Sequence, residues 1–210
     1  SSTFAQESPG VHKGFEYGRS GNPTRNALEA CLAALEGGRH GFAFSSGLGA
    51  STTIFSMLAP GSHVLAGDDL YGGTFRLLDK VMKPLGLASS FVDLTDLAAV
   101  KSALRPETKL VWMETPTNPL LKIFDIAGVA AVAREAGVPL VVDNTFASPV
   151  LQRPLELGAT AVMHSSTKYL NGHSDVVGGA VVTSDDAFAE RLRFLQNAMG
   201  AVPSPFDSYL

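Results

Sequence analysis

The chain has 210 residues, of which 45% are hydrophobic and 17% charged. A charged share that far below the roughly 25% of ordinary soluble domains implies much buried surface and excludes a disordered chain. Sixteen basic against 20 acidic residues give a net charge of −4, without the basic footprint of a nucleic-acid binder.

The opening residues SSTFAQESPG have neither a basic n-region nor an apolar h-region. No later run approaches the roughly 18 apolar residues of a membrane span. The expectation is a soluble cytoplasmic protein of about one and a half domains by length. Residues 1–23 are rich in Gly, Ser and polar side chains, end in the turn-like Gly21-Asn22-Pro23, and read as an extended arm or loop. Thr24 reads as the N-cap of a helix from Arg25 to Glu36, stopped by Gly37-Gly38. Leu28, Cys31, Leu32 and Leu35 fall at helical spacing, which predicts Cys31 as a core thiol. As the single cysteine, it also excludes an intrachain disulfide scaffold.

Beyond this point strand and helix patterns alternate. Strands are predicted at Phe42–Ser45, Ser62–Ala66, Ser89–Val92, Lys109–Glu114, Val138–Asp143, Ala159–His164 and Val176–Thr183. Helices are predicted at Gly47–Leu58, Gly73–Met82, Leu97–Leu104, Ile126–Ala136 and Asp186–Met199. Strands apolar on both faces, alternating with helices, predict an α/β domain with a mostly parallel sheet flanked by helices. Ligands of such sheets sit at the carboxyl ends of the strands.

Those ends carry unusual chemistry. Ser46-Gly47-Leu48 lies between a strand and a helix start, where backbone N–H groups can bind phosphate, or where a plain turn can sit. No P-loop or dinucleotide fingerprint is present. Asp143 ends a strand buried on both faces, so its carboxylate needs a partner: a metal, a helix end or a cationic ligand. No His or carboxylate cluster at ligand spacing accompanies it, which disfavours metal. Lys168 follows an apolar strand and three hydroxyl residues, where a lysine can act as a nucleophile toward a carbonyl. Ser165 and Thr167 alternate with Ser166 and can point to one side. Tyr71 can stack on a planar ring, exchange a proton, or be an ordinary loop aromatic. Arg19, beside Tyr17 in the arm, suits a phosphate, and Asn118 between two prolines is a candidate hydrogen-bond donor. The five histidines show no catalytic or metal spacing and read as structural.

Six segments in order carry a resemblance that covers the whole chain. They are Tyr17-Gly-Arg-Ser-Gly-Asn-Pro-Thr24, Ser46-Gly-Leu48, Asp69-Leu-Tyr-Gly-Gly-Thr74, Glu114-Thr-Pro-Thr-Asn-Pro119, Val142-Asp-Asn-Thr-Phe146 and Ser165-Ser-Thr-Lys-Tyr-Leu-Asn-Gly-His173. Together they resemble the Cys/Met-metabolism enzymes that use pyridoxal phosphate (PLP), a family of cystathionine lyases and synthases. The resemblance implies the type I PLP fold, like that of aspartate aminotransferase, with 24–210 as the PLP-binding large domain. It implies Lys168 as the lysine joined to the cofactor, Asp143 as the partner of its pyridine nitrogen, and Tyr71 as the residue stacked on its ring. It assigns the phosphate to Gly47, Leu48, Ser165 and Thr167, and a ring or substrate contact to Asn118. Glu114 becomes an acid near the ring. Tyr17 and Arg19 would reach the cofactor of a neighbouring subunit, which implies a homo-oligomer, at least a dimer and typically a tetramer.

The family's chains are longer, so a C-terminal domain carrying the arginine for the substrate carboxylate is expected to be missing here. Gly73 stands where methionine γ-lyases carry a cysteine, and Tyr71-Gly-Gly-Thr-Phe-Arg76 is closer to the cystathionine γ-lyase and γ-synthase branch. The expected activity is γ-elimination of L-cystathionine. The alternatives are γ-replacement on an O-acylhomoserine, then methionine γ-lyase or cystathionine β-lyase activity, and a PLP-binding fragment without turnover.

Overall fold

In the computed structural model, which describes residues 1–210, the arm begins with a short hairpin, β1 (Gln6–Ser8) and β2 (Val11–His12). Helix α1 spans Pro23–Glu36, and its cap is Asn22, not Thr24. The Asn22 side chain accepts from the amides of Thr24 and Arg25, and Pro23 fills the first helical position, where no donor is needed. The inward face of α1 also differs from the apolar periodicity. Cys31 and Leu35 are exposed, while Leu32, Ala33, Arg25 and Glu36 are buried. The helix is turned this way because its polar residues have partners inside: Arg25 donates to the carbonyls of Gly18 and Arg19.

The remaining elements follow the predicted alternation: β3 (His40–Phe44), α2 (Gly47–Phe55), β4 (His63–Gly67) and α3 (Gly72–Arg76). The helix expected over Gly73–Met82 widens into a π turn at Leu77–Met82 and tightens at Lys83–Leu85, where Pro84 ends it. Then come β5 (Ala88–Val92), α4 (Leu97–Ala103), β6 (Thr108–Glu114), α5 (Ile126–Glu135) and β7 (Leu140–Asp143). A short α6 (Ser148–Leu151), β8 (Ala161–His164), β9 (Gly179–Thr183), α7 (Asp186–Met199) and an unpredicted α8 (Pro205–Tyr209) complete the chain. Strand β9 is shorter than predicted because Thr167 binds the amide and carbonyl of Gly178.

Seven strands form one sheet in the order β3-β9-β8-β7-β6-β4-β5. Only β9 runs against the others, so the sheet is mostly parallel, as expected. Alternation along the strands sends side chains to two cores. Trp112, Val141, Met163 and Val181 pack with α2, the α3 turn and α7 on one face. Val111, Val142 and Leu140 pack with α4 and α5 on the other, where Ala180 and Val182 meet α1. No helix is long and apolar enough to cross a membrane.

Candidate active site

The carboxyl ends of β6, β7 and β8 open into a cavity of about 400 Å³ against the start of α2. Parallel pairing puts Glu114 beside Asp143 and Asp143 beside Met163, so both carboxyls face the cavity on the α2 side of the sheet. Asp143 is 5% exposed, and one of its oxygens accepts from the amide and hydroxyl of Thr145 at 3.0 and 2.5 Å. Burial pushes its carboxyl above the ordinary carboxylate range, against the pull of the Thr145 bonds and of His164. Glu114 spans two loops: it accepts from the amide of Tyr71 at 2.9 Å and of Asn118 at 2.7 Å. Burial first, and the neighbouring Asp143 second, push it up to about 8. The floor is thus two crowded carboxyls that a cationic group would relieve.

The start of α2, whose backbone donors suit an anion, faces them. Ser46 caps α2 by accepting from the Gly49 amide at 2.9 Å, and its carbonyl takes the Ala50 amide. The amides of Gly47 and Leu48 at the helix mouth are left to a ligand. Ser165 and Thr167 line the cavity across from them and Ser166 does not, while the hydroxyl of Thr167 is bonded to the backbone of Gly178. A Cβ on Gly47 would lie 2.8 Å from that of Ser165, so only glycine lets the two loops approach. Lys168 lines the same cavity with no carboxylate paired to it.

Tyr71, 44% exposed, forms another wall, and Asn118 lies beside Glu114 between the cis bonds to Pro116 and Pro119. Eight of the ten predicted cofactor residues therefore meet at one cavity. Tyr17 and Arg19 do not. Arg19 reaches Asn197 at the end of α7, with its guanidinium 5.3 Å from the Tyr17 ring.

Sequence reasoning passed over Thr145, which holds Asp143 and also accepts from the Ser165 amide at 2.8 Å. Its signal was its place two residues after Asp143, where a hydroxyl reaches back to the carboxylate. Phe146, Met163 and Val177 supply apolar wall. The arrangement combines an anion cradle, a free amine, a stacking ring and a buried acceptor for a cation.

The sequence model of the Cys/Met metabolism PLP-dependent enzymes matches residues 1–210. The chain is 59% identical over 209 residues to a probable cystathionine gamma-synthase of Herpetosiphon aurantiacus, all of this chain against 66% of that one. It is 56% identical to a cystathionine beta-lyase of Coxiella burnetii, of which it spans 54%. Its fold matches a crystal structure of cystathionine gamma-lyase from Lactobacillus plantarum complexed with L-serine, with a TM-score of 0.97 and 51% identity, over 55% of that chain. The chain therefore spans about half to two-thirds of the relatives it matches.

Proposed function

The chain belongs to the Cys/Met metabolism PLP-dependent enzymes, and from that premise we propose that its full protein is a carbon–sulfur lyase that splits L-cystathionine by γ-elimination. The products are L-cysteine, 2-oxobutanoate and ammonia. The observation that carries the reading is the meeting of Lys168, Asp143, Tyr71 and the Gly47–Leu48 amides around one cavity. Two features of the donor set fit PLP: a glycine cradle that a side chain would fill, and a buried carboxyl with acceptor capacity left beyond Thr145.

When bound, PLP supplies an aldehyde that an amine can join and a protonated ring that withdraws electrons. In this reading Asp143 holds the proton on the ring nitrogen. The Gly47 and Leu48 amides, with the Ser165 and Thr167 hydroxyls, hold the phosphate. Tyr71 covers one ring face, and Asn118 contacts the ring oxygen or the substrate. Lys168 anchors the cofactor through its amine and yields that place to the amine of the substrate. The freed Lys168 then takes the α-proton and moves protons at the neighbouring carbons, so that the γ-sulfur departs as a thiol. Tyr17 and Arg19, directed away from their own cavity, serve the phosphate of a neighbouring subunit. This makes the protein a homo-oligomer, a dimer at least and a tetramer in the fuller reading, in the cytoplasm. Residues 24–210 form its PLP-binding domain, and the arm of 1–23 reaches the neighbour.

A second reading, γ-replacement on an O-acylhomoserine, draws support from the 59% identity to a relative named for that reaction. The test is product analysis with the full-length protein. Release of 2-oxobutanoate and cysteine from L-cystathionine is the expected result. Pyruvate with homocysteine would make it a β-lyase. Inertness toward cystathionine, with cystathionine formed from an O-acylhomoserine and cysteine, would establish the second reading.

A further inference from the structure

On the far side of the sheet from the cavity lies a polar cluster that the proposed chemistry does not use. His164 ends β8 between Met163 and Ser165, both of which line the cavity. Strand alternation therefore turns its imidazole toward α1. There its Nε2 lies 2.5 Å from Glu36 Oε1, and both side chains are 2% exposed. The same oxygen accepts from Asn144 Nδ2 at 2.9 Å. Asn144 also donates to the Gln152 carbonyl and accepts from Gln152 Nε2, each at 2.9 Å. Gln152 Nε2 donates in turn to the Thr115 carbonyl at 2.9 Å.

The chain positions of these residues matter. Thr115 follows Glu114, Asn144 follows Asp143, and His164 precedes Ser165. One buried network therefore ties together the ends of β6, β7 and β8, the three strands that deliver the cavity's chemistry. It is costly to keep. Glu36 Oε2 and His164 Nδ1 are buried without partners, each a penalty that an apolar pair would avoid. Glu36 is also an acid at the carboxyl end of a helix, where the dipole opposes it. Local rules broken at a cost, next to a site, mark residues kept for the site.

We propose that Glu36 and His164 are positioning residues that, through Asn144, hold the ends of β7 and β8 in the spacing Asp143 and Lys168 need to grip the cofactor. The inference rests on the reading of those two residues as cofactor ligands. Glu36 acts through the hydrogen bonds its Oε1 accepts, a task a glutamine oxygen can also perform.

The experiment strips the full-length protein of cofactor and titrates it with PLP, following the visible absorption band. Glu36→Ala is expected to raise the Kd about tenfold or more, the scale of lost outer supports in other ligand sites, and to move the band. Glu36→Gln is expected to keep the Kd within about threefold of the parent's, since its amide oxygen can accept both bonds that Oε1 accepts. Should Glu36→Ala fail to fold, Gln152→Ala, which breaks the network and leaves the Glu36–His164 pair intact, is expected to raise the Kd severalfold. An unchanged Kd in whichever of these variants folds, even with a lowered melting temperature, overturns the inference alone. So does a Glu36→Gln protein as weak as Glu36→Ala. A parent protein that takes up no PLP overturns the site reading and this inference with it.

Discussion

Asp143 is the residue on which the site turns. A carboxyl at the end of a strand buried on both faces is expensive, and its only hydrogen bonds come from Thr145. It keeps acceptor capacity and an environment that favours a cationic partner, as the pyridine nitrogen of a bound cofactor would be. Asp143→Asn removes the charge and keeps the shape. It should lower kcat by about 10²-fold or more, the usual scale for losing one fixed electrostatic support. Near-normal turnover in the full-length variant would remove Asp143 from the mechanism. Lys168 is tested differently, because its amine is proposed both to anchor the cofactor and to move protons. Lys168→Ala should abolish turnover and the visible band of the bound cofactor, yet leave circular dichroism unchanged, since the side chain supports no packing. A visible band that persists in Lys168→Ala and is bleached by borohydride would show that another amine is used.

At the scale of elements, the site is a set of strand ends and one helix start, and that much could be read from the residues. The runs ending at Glu114, Asp143 and His164 are apolar enough to announce buried parallel strands, and the loops after them carry the polar residues. The start of α2 is the opposing half. Gly47→Ala places a Cβ 2.8 Å from that of Ser165, and neither loop can yield without moving the proposed phosphate cradle. Overpacking of this kind costs about 1–3 kcal/mol and should appear as a PLP Kd raised by about tenfold or more. Unchanged affinity would mean the amides of α2 do not hold the phosphate. The orientation of α1 was not legible. Apolar spacing turned Cys31 and Leu35 inward because a count of apolar residues cannot see that Arg25 is bonded to the arm just before it and Glu36 to residues far along the chain. Glu36 meets His164 across 128 positions, a pairing that only the assembled sheet creates. The absence of Tyr17 and Arg19 from their own cavity agrees with the expectation, drawn from the resemblance, that they reach a neighbouring subunit.

For the whole molecule, the crowded carboxyls make folding and cofactor uptake share one proton balance. Glu114 has an ordinary value of 4.5 and is pushed up to about 8 in the folded chain, and burial raises Asp143 in the same direction. Between those limits the folded chain holds protons that the unfolded chain has released. The folded state then binds more protons than the unfolded one, so stability falls as pH rises. The slope is at most about 1.4 kcal/mol per pH unit for each proton so held. The cofactor-free protein should therefore unfold at progressively lower urea concentration as pH rises from about 4.5 toward 8, the window set by Glu114. Glu114→Gln should flatten that dependence whatever it does to stability at a single pH, because its amide does not titrate. Bound PLP should flatten it as well. A cationic ring nitrogen beside Asp143 favours the ionised carboxyl and offsets the repulsion that both acids otherwise relieve by keeping protons. Urea titrations at several pH values, with and without PLP, read all three curves. A cofactor-free midpoint that rises with pH across this window would show that the two carboxyls are ionised in the folded chain. The proton-holding role of Glu114 and Asp143 would then be overturned, although two ionised carboxylates would still attract a cationic ring.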